Sequence, residues 1–473
     1  MSPARTLRYS SISFLLGVLV ASALLEVWRM PLILFVVLAS IAAAHFFIFP
    51  KKYVFIVLAA FFGVWYCGFR YSTVVNHTLP TGMDHQGMVQ AVDYYPDMLR
   101  LRVTDGGVSY YLSTGRLSPA AIGDRITYSC HLEAIEDFEG FAYTKYAAAQ
   151  RVIGKCRAST VSIVNHQTAI PALLFRLKVW YANLFREYLH EPESALARAM
   201  TLADQRELPV EVTNAFSRSG ASHIIAISGL NITIIVIAFE YFLTFLGLPR
   251  GLRLLVNGSA IILFLALLGF PASAVRAGIF GIIVLSSRVV GRSLSALHAV
   301  IVSAGVMALV TPLAVAYDPG FQLSFMAFVS LLATDTWWQR HLTWLPEFGG
   351  LRSVVTATMS AQTLSVPLLV YYFHLFSLVA VIVNIILIPL VLPVVLFSFL
   401  FWLAPLPFIG NMFIWPLYFL LRIMIEATGF AGNLPFAAIP IPPFSAWWLV
   451  AVYAGMALLG ALFHYKKIYA QKV

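Results

Sequence analysis

Apolar runs of membrane length recur along this chain from near its start to near its end. Little but a bundle of spanning helices can be built from them. A spanning helix needs about 20 predominantly apolar residues. Three such runs open the sequence, near Ser11–Trp28, Leu32–Phe49 and Val54–Phe69. Nine more follow, at about 223–247, 254–270, 273–290, 295–312, 320–336, 354–372, 377–402, 408–428 and 445–464. Of the 473 residues, 60% are hydrophobic and only 11% charged, where a soluble domain carries about 25% charged. The expected fold class is a polytopic α-helical membrane protein of about 12 spans. Pro271, Pro312, Pro319, Pro367, Pro389 and Pro393 predict broken or re-entrant helices among them.

Positive charge orients such a chain, because Lys and Arg collect in cytoplasmic loops. Arg5 and Arg8 precede the first run, and Lys51 and Lys52 lie between the second and third. Three crossings then deliver the chain outside at about Tyr71. In that orientation Arg250/Arg253, Arg288/Arg292, Arg340/Arg352 and Lys466/Lys467 all fall on the cytoplasmic side, and both termini are expected there. The net charge of +10 therefore has two readings, loop orientation and an acidic partner such as nucleic acid. The first run reads as an anchor rather than a cleaved signal, since two more follow it at once.

From about 71 to 170 the composition turns soluble. Short alternating runs occur at Met98–Thr104, Val108–Thr114 and Arg125–Ile135. Gly106-Gly107 joins the first two as a hairpin turn. Leu99, Leu101 and Val103 share one face, and Arg100, Arg102 and Thr104 the other. The expected organisation is membrane helices over 1–70, an external small β domain over 71–170, connecting helices over 171–220 and a membrane domain over 221–473. Leu173–Glu187 is amphipathic, either lying along the membrane surface or serving as a plain connector. Of the three cysteines, Cys67 lies in an apolar run, while Cys130 and Cys156 both lie in the polar region. A disulfide between them needs an oxidising compartment and cannot be read from spacing alone. The external placement agrees with one.

Few polar residues interrupt the apolar sequence. Ser222–Ile234 reads SHIIAISGLNITI and sets His223, Ser228, Gly229 and Asn231 at the mouth of a span. Lipid penalises such groups unless they have partners or face water. Ser228 and Asn231, three apart, share a helix face, and Gly229 permits a break or a close approach. They either line a path or bind helices together. Arg276 lies in Phe270–Gly278 (FPASAVRAG), one turn after Ser273. An arginine at a span's centre costs about 2.5–3.5 kcal/mol on insertion scales, so Arg276 either serves a function or snorkels to the interface. Asp318–Phe325 (DPGFQLSF) opens another span. Asp318 caps it with Pro319 in the first turn, whereas capping explains neither Gln322 nor Ser324. A pairing of Asp318 with Arg276 near the outer mouth is expected. Asn384 followed by Pro389 and Pro393 predicts a discontinuous helix, the kind of break that builds a site near the midplane. His374, alone before that span, reads as a packing residue.

Several chemistries have no motif here. There is no G-x-x-x-x-G-K-[ST] for nucleotide binding, no H-x-H-x-D-H, no Cys/His cluster of metal spacing and no G-x-S-x-G elbow around Ser228. A serine hydrolase pairing Ser228 with His223 would need two residues, five apart, that share a helix face poorly. The chain reads as a channel or transporter without cofactor or metal, not as an enzyme.

With these residues in view, the chain resembles the ComEC/Rec2 family of DNA-internalisation proteins of natural competence. Ser222–Leu230 (SHIIAISGL), Ser273–Gly278 (SAVRAG) and Asp318–Phe325 (DPGFQLSF) look like three family blocks in the family's order. Gly140–Gly154 (GFAYTKYAAAQRVIG) resembles a stretch of the family's external OB-type domain. The resemblance implies a bacterial inner-membrane channel passing single-stranded DNA to the cytoplasm during transformation. It further implies a separate cytoplasmic ATPase, external DNA receptors, contact with membrane lipid and a homo-oligomer. Arg100, Arg102, Tyr110, Tyr111, Lys145, Tyr146, Arg151, Lys155 and Arg157 would be DNA-binding candidates on the external domain. Two departures stand out. Asn231 occupies the place where the family often has His, so no titratable role is expected there. Many members also carry a metallo-β-lactamase-like domain, and this sequence has no such motif, so no nuclease activity carries over. A secondary transporter of a small anion is the alternative, using Arg276 and the broken helices.

Overall fold

The computed structural model describes residues 3–24, 54–75, 79–80, 82–94, 98–115, 120, 122–137, 143–158, 160–165, 170–205, 207–227, 229–291, 295–406 and 408–470. It forms two compact units. One comprises Met1–Thr213, His223–Gln322 and Pro389–Ile425, the other Asn214–Ser222, Leu323–Ile388 and Glu426–Val473.

Helices α1 (Pro3–Leu24) and α2 (Val54–Val75) begin the first unit. They cross where small residues let backbones touch: a Cβ on Gly17 would collide with the Ala60 carbonyl, and one on Gly63 with that of Phe14. The expected span Leu32–Phe49 lies outside the described residues.

The β domain follows. Its strands are β1 (Asp84–Tyr94), β2 (Met98–Asp105), β3 (Val108–Gly115), β4 (Arg125–Ser129), β5 (Glu133–Ala134), β6 (Val152–Arg157) and β7 (Thr160–Asn165), with helix α3 (Tyr143–Ala149) before β6. Gly106 and Gly107 turn the β2–β3 hairpin with φ of 57° and 91°, the left-handed pair a two-residue turn demands. Leu99, Leu101 and Val103 are fully buried on one face of β2, each worth about 1.5–3 kcal/mol in removed apolar surface.

The strand order is β5-β6-β3-β2-β1-β4-β7, with β3 and β6 parallel. The single sequence run predicted over Arg125–Ile135 supplies both β4, which pairs with β1, and β5, which pairs with β6. Only residues 130–132 separate the two halves, so one run reaches both the β1 side and the β6 side of the sheet, with β7 beyond β4 as the second edge. A disulfide joins Cys130, inside that seam, to Cys156 on β6. Both cysteines are buried in the domain's core, and the bond spans a sequence separation of 26. Its loss is expected to cost about 3–4 kcal/mol on the chain-entropy relation. Cys130→Ser should show this as a lower midpoint in chemical unfolding of the β domain, read by tyrosine fluorescence. An unshifted midpoint would mean the sheet is self-sufficient without the bond.

After the sheet, α4 (Ile170–Tyr188) is the expected amphipathic helix, and α5 (Glu193–Leu202) follows. The succeeding helices are α6 (Val210–Arg218), the single turn α7 (Ser222–Ile225), α8 (Gly229–Phe245), α9 (Arg250–Leu268), α10 (Ala272–Val290), α11 (Ala296–Val310), α12 (Ala314–Tyr317) and α13 (Pro319–His341). Then come α14 (Leu351–Phe373), strand β8 (Leu375–Ser377), α15 (Ala380–Phe399), α16 (Ile409–Gly432), strand β9 (Ala438–Pro440) and α17 (Ala446–Ala470). Each of the nine predicted runs after 220 contains a helix. Among the described residues four helices, α9, α14, α15 and α16, are long and apolar enough to cross a membrane; α1, α8, α10, α11 and α17 hold shorter apolar stretches.

Two expectations about breaks are corrected. The run predicted as 223–247 is interrupted, with α7 ending at Ile225 and α8 starting at Gly229. By contrast, α15 continues through Pro389 and Pro393, and α14 through Pro367. A proline removes one ladder hydrogen bond, and packing around these helices outweighs that loss. In the second unit Ser330 sits in the ladder of α14 just before Pro367. Its hydroxyl donates to the Ser360 carbonyl and accepts from the Leu364 N–H at 2.9 Å.

Candidate functional site

The break between α7 and α8 leaves backbone carbonyls that no helix satisfies. Neighbouring side chains take them up. Ser273 of α10 donates to the Ile227 carbonyl at 2.6 Å, and Gln205 donates to that of Ile225 at 3.5 Å. One turn along α10, Ala277 lies 3.7 Å from where a Gly229 Cβ would stand, an ordinary contact distance, so α8 starts beside α10 without the close approach that glycine would be needed for. Asn231, buried on α8, donates to the Met200 carbonyl at the end of α5, at 3.0 Å. Ser228 lies outside the described residues.

Arg276 shares the first turns of α10 with Ser273. It is 5% exposed, and its Nη1 donates to the Gly320 carbonyl at 2.7 Å. Asp318 holds the other end of that peptide: its Oδ1 accepts from the Phe321 N–H at 3.3 Å, and also from the Gly320 N–H of the peptide before it at 2.8 Å. Asp318 is thus the cap expected for α13, with Pro319 in the first turn. The predicted pairing with Arg276 runs through the Gly320 peptide, and the two opposite charges attract across it. Gln322 folds back, donating to the carbonyls of Val315 at 3.1 Å and Ala316 at 2.7 Å, and locks α12 to α13. The three motif blocks at 222–230, 273–278 and 318–322 therefore converge on the first two turns of α10.

This corner also receives the β domain. Lys145 of α3 stands over the Tyr317 ring, 5.4 Å from its centroid. Burial, and then the nearby Asp318 carboxylate, push the Tyr146 phenol above its usual range. On the sheet, the register sets Arg100 beside Ser113 and Arg157, and Arg102 beside Tyr111 and Lys155. Strands alternate their side chains, so these residues form one cationic face around Tyr111. The Arg100 guanidinium lies 5.5 Å from the Tyr111 ring centroid. Tyr110 is a correction: it points to the opposite face and is buried in the core. Arg151 is exposed at the turn between α3 and β6.

His223 is exposed on α7. Ser324, His374 and Asn384 belong to the second unit. Asn384 is buried on the continuous α15, and its Oδ1 has no partner among the described residues; the same holds for the hydroxyls of Thr356, Thr358 and Ser360 on α14.

Sequence reasoning missed Arg198. This α5 side chain is fully buried and gathers Glu191 at 2.7 Å, Asp204 at 3.5 Å and Glu207. Arg186 adds a second cation to Glu207 at 2.8 Å. Burial alone would raise the Glu207 carboxyl, but hydrogen bonds from Arg186 and Arg198 outweigh it and hold it below the usual range. Among the described residues, no group of three or more His, Cys, Asp or Glu could hold a metal.

A mostly helical membrane protein with a separate β-sheet domain, joined at a corner held by Arg276 and Asp318, is the class these observations define. Residues 200–466 match the Competence protein family, more than half of the chain, and the chain belongs to that family. A segment of 249 residues, 53% of the chain, is 24% identical to ComE operon protein 3 of Bacillus subtilis (strain 168) and covers 31% of that protein. The match thus spans less than a third of the relative's length. No solved structure matches the chain.

Proposed function

We propose that this protein acts in DNA uptake during natural transformation, as an inner-membrane conduit that passes single-stranded DNA to the cytoplasm. Membership of the competence family supports the uptake role. The observation that carries the conduit reading is the docking of α3 on the Tyr317–Asp318 corner. It joins a cationic, aromatic-bearing sheet to a place where a buried arginine sits at the head of an apolar helix. Strand order β5-β6-β3-β2-β1-β4, with β3 and β6 parallel and one run supplying both β4 and β5, supports an OB-type domain, a fold whose basic grooves and aromatic platforms bind strands without sequence preference.

In this reading the strand is collected outside on Arg100, Arg102, Lys155 and Arg157 and handed past Lys145 toward the membrane helices. About 12 spans, with termini in the cytoplasm, form the bundle. Buried hydroxyls on α14 and the Asn384 amide supply polar lining without fixed positive charge, so phosphates pass without being held. A cytoplasmic ATPase supplies force, outer receptors supply DNA, and copies of the chain associate. The chain itself transports and does not hydrolyse.

The test is binding of single-stranded DNA to the full chain in nanodiscs across a salt series. Each neutralised phosphate contributes a slope of about −0.7 in log K against log salt. The triple variant Arg100→Ala/Lys155→Ala/Arg157→Ala is expected to flatten that slope by about 2 and to lower uptake of labelled DNA. An unchanged slope removes the sheet face from the path. The second reading, transport of a small anion, is favoured only by Arg276 and predicts no effect of these three residues.

A further inference from the structure

A cavity of about 350 Å³ opens in the first unit between α4, the end of α5, the first turns of α8, the end of α9 and the Phe401–Leu403 turn after α15. Its walls are almost wholly apolar, with Leu177, Ile235, Phe264 and Leu267 among them. The one amide in the wall, Asn231, already donates to the Met200 carbonyl. A path for phosphates would be polar, whereas an apolar void of this size stays dry and takes apolar ligands.

Three further observations say what fills it. Trp180 and Trp402 both line the cavity and are about half exposed, at 49% and 51%. Tryptophans so placed mark the level where headgroups meet acyl chains. Next, α4 buries Leu174, Ala182 and Phe185 against the protein, yet Leu173, Leu177 and Trp180 stay exposed on another stripe. A helix with two apolar stripes has one turned to lipid. Finally, Arg176 lies on that second stripe, at i+3 from Leu173 and i−4 from Trp180, and is exposed.

We infer that this cavity holds one acyl chain of an anionic glycerophospholipid from the surrounding bilayer, with its headgroup phosphate at Arg176. The site is distinct from the corner at Arg276, and it stands whether or not DNA is the transported species. The bound lipid would wedge α4 against the α8–α9 pair, replacing the protein atoms that the cavity lacks.

The experiment uses the full chain, extracted from nanodiscs of mixed phosphatidylglycerol and phosphatidylcholine into mild detergent, with retained lipid counted by native mass spectrometry. About one phosphatidylglycerol per chain is expected to remain. Leu267→Trp, which fills the cavity, is expected to abolish retention, and the smaller Ile235→Phe to reduce it. Arg176→Gln is expected to keep the chain bound but to lower the preference for phosphatidylglycerol about fivefold, the effect of one basic residue at a membrane surface. In parallel, brominated acyl chains should quench tryptophan emission in the wild type by more than in Trp180→Phe. This second readout depends on neither of the two cavity-filling variants. Wild-type protein free of lipid, retention unchanged by both cavity variants, or equal quenching in Trp180→Phe would each overturn the inference.

Discussion

Cells carrying Arg276→Met are expected to take labelled DNA into the cytoplasm about 10–100-fold less efficiently than wild type, with protein amount unchanged. The basis is one bond in a particular place. The Nη1 donor to the Gly320 carbonyl is charge-assisted and buried, and such bonds contribute about 1.5–3 kcal/mol. Losing it frees the peptide that Asp318 also caps, so the start of α13 and the seat of α3 on Tyr317 loosen together. Arg276→Lys separates charge from geometry: it keeps a cation but not the planar fork. Recovery by lysine would assign the effect to charge felt by the strand. A defect as deep as that of methionine would assign it to the corner's shape. Wild-type entry in Arg276→Met would reduce the residue to packing.

Arg198→Met is expected to be the most destabilising single change, at about 3–5 kcal/mol, because it leaves buried or half-buried carboxylates without their shared cation. Thermal unfolding in detergent should show it, and the double variant Arg198→Met/Glu207→Gln should recover part of the loss. The pH dependence has a defined sign. Glu207 titrates lower in the folded protein than in the unfolded chain, so its contribution is complete above the unfolded value. That contribution erodes as pH falls through the folded one, below the ordinary 4.5 of a glutamate. Wild-type stability should therefore decline on acidification in that window, and the Glu207→Gln protein should decline less. A parallel decline would place the acid sensitivity elsewhere.

The β2–β3 hairpin was readable because period-two alternation and the Gly106-Gly107 pair agree. Strand β1 was not, since its inward positions include His85 and Gly87 beside Val89, and only valine looks like a strand residue. Gly87 is there because a Cβ would collide with the Val103 side chain, a contact that no local pattern announces. At the corner, the block order pointed to Ser273, Arg276 and Asp318 correctly, but their meeting through one peptide is a tertiary fact. Arg198 was invisible because its partners come from both sides of α5, at 191, 204 and 207, and a lone arginine among alanines reads as surface. Reading prolines as breaks failed on α15, where the helix continues through two of them.

The seam at residues 130–132 has a mechanical consequence. An open sheet unzips from an exposed edge, one hydrogen bond at a time. Here the run that supplies β4, next to the edge on one side, also supplies β5, the edge on the other, and a disulfide rivets it to β6. A tug on the cationic face is therefore shared among β2, β3 and β6 as shear. The strands that can be peeled are those at the two edges: β7, which pairs with β4 and leads on to α4, and the two-residue β5, which pairs with β6. The disulfide guards the β5 edge, so under load the domain is expected to yield first at β7.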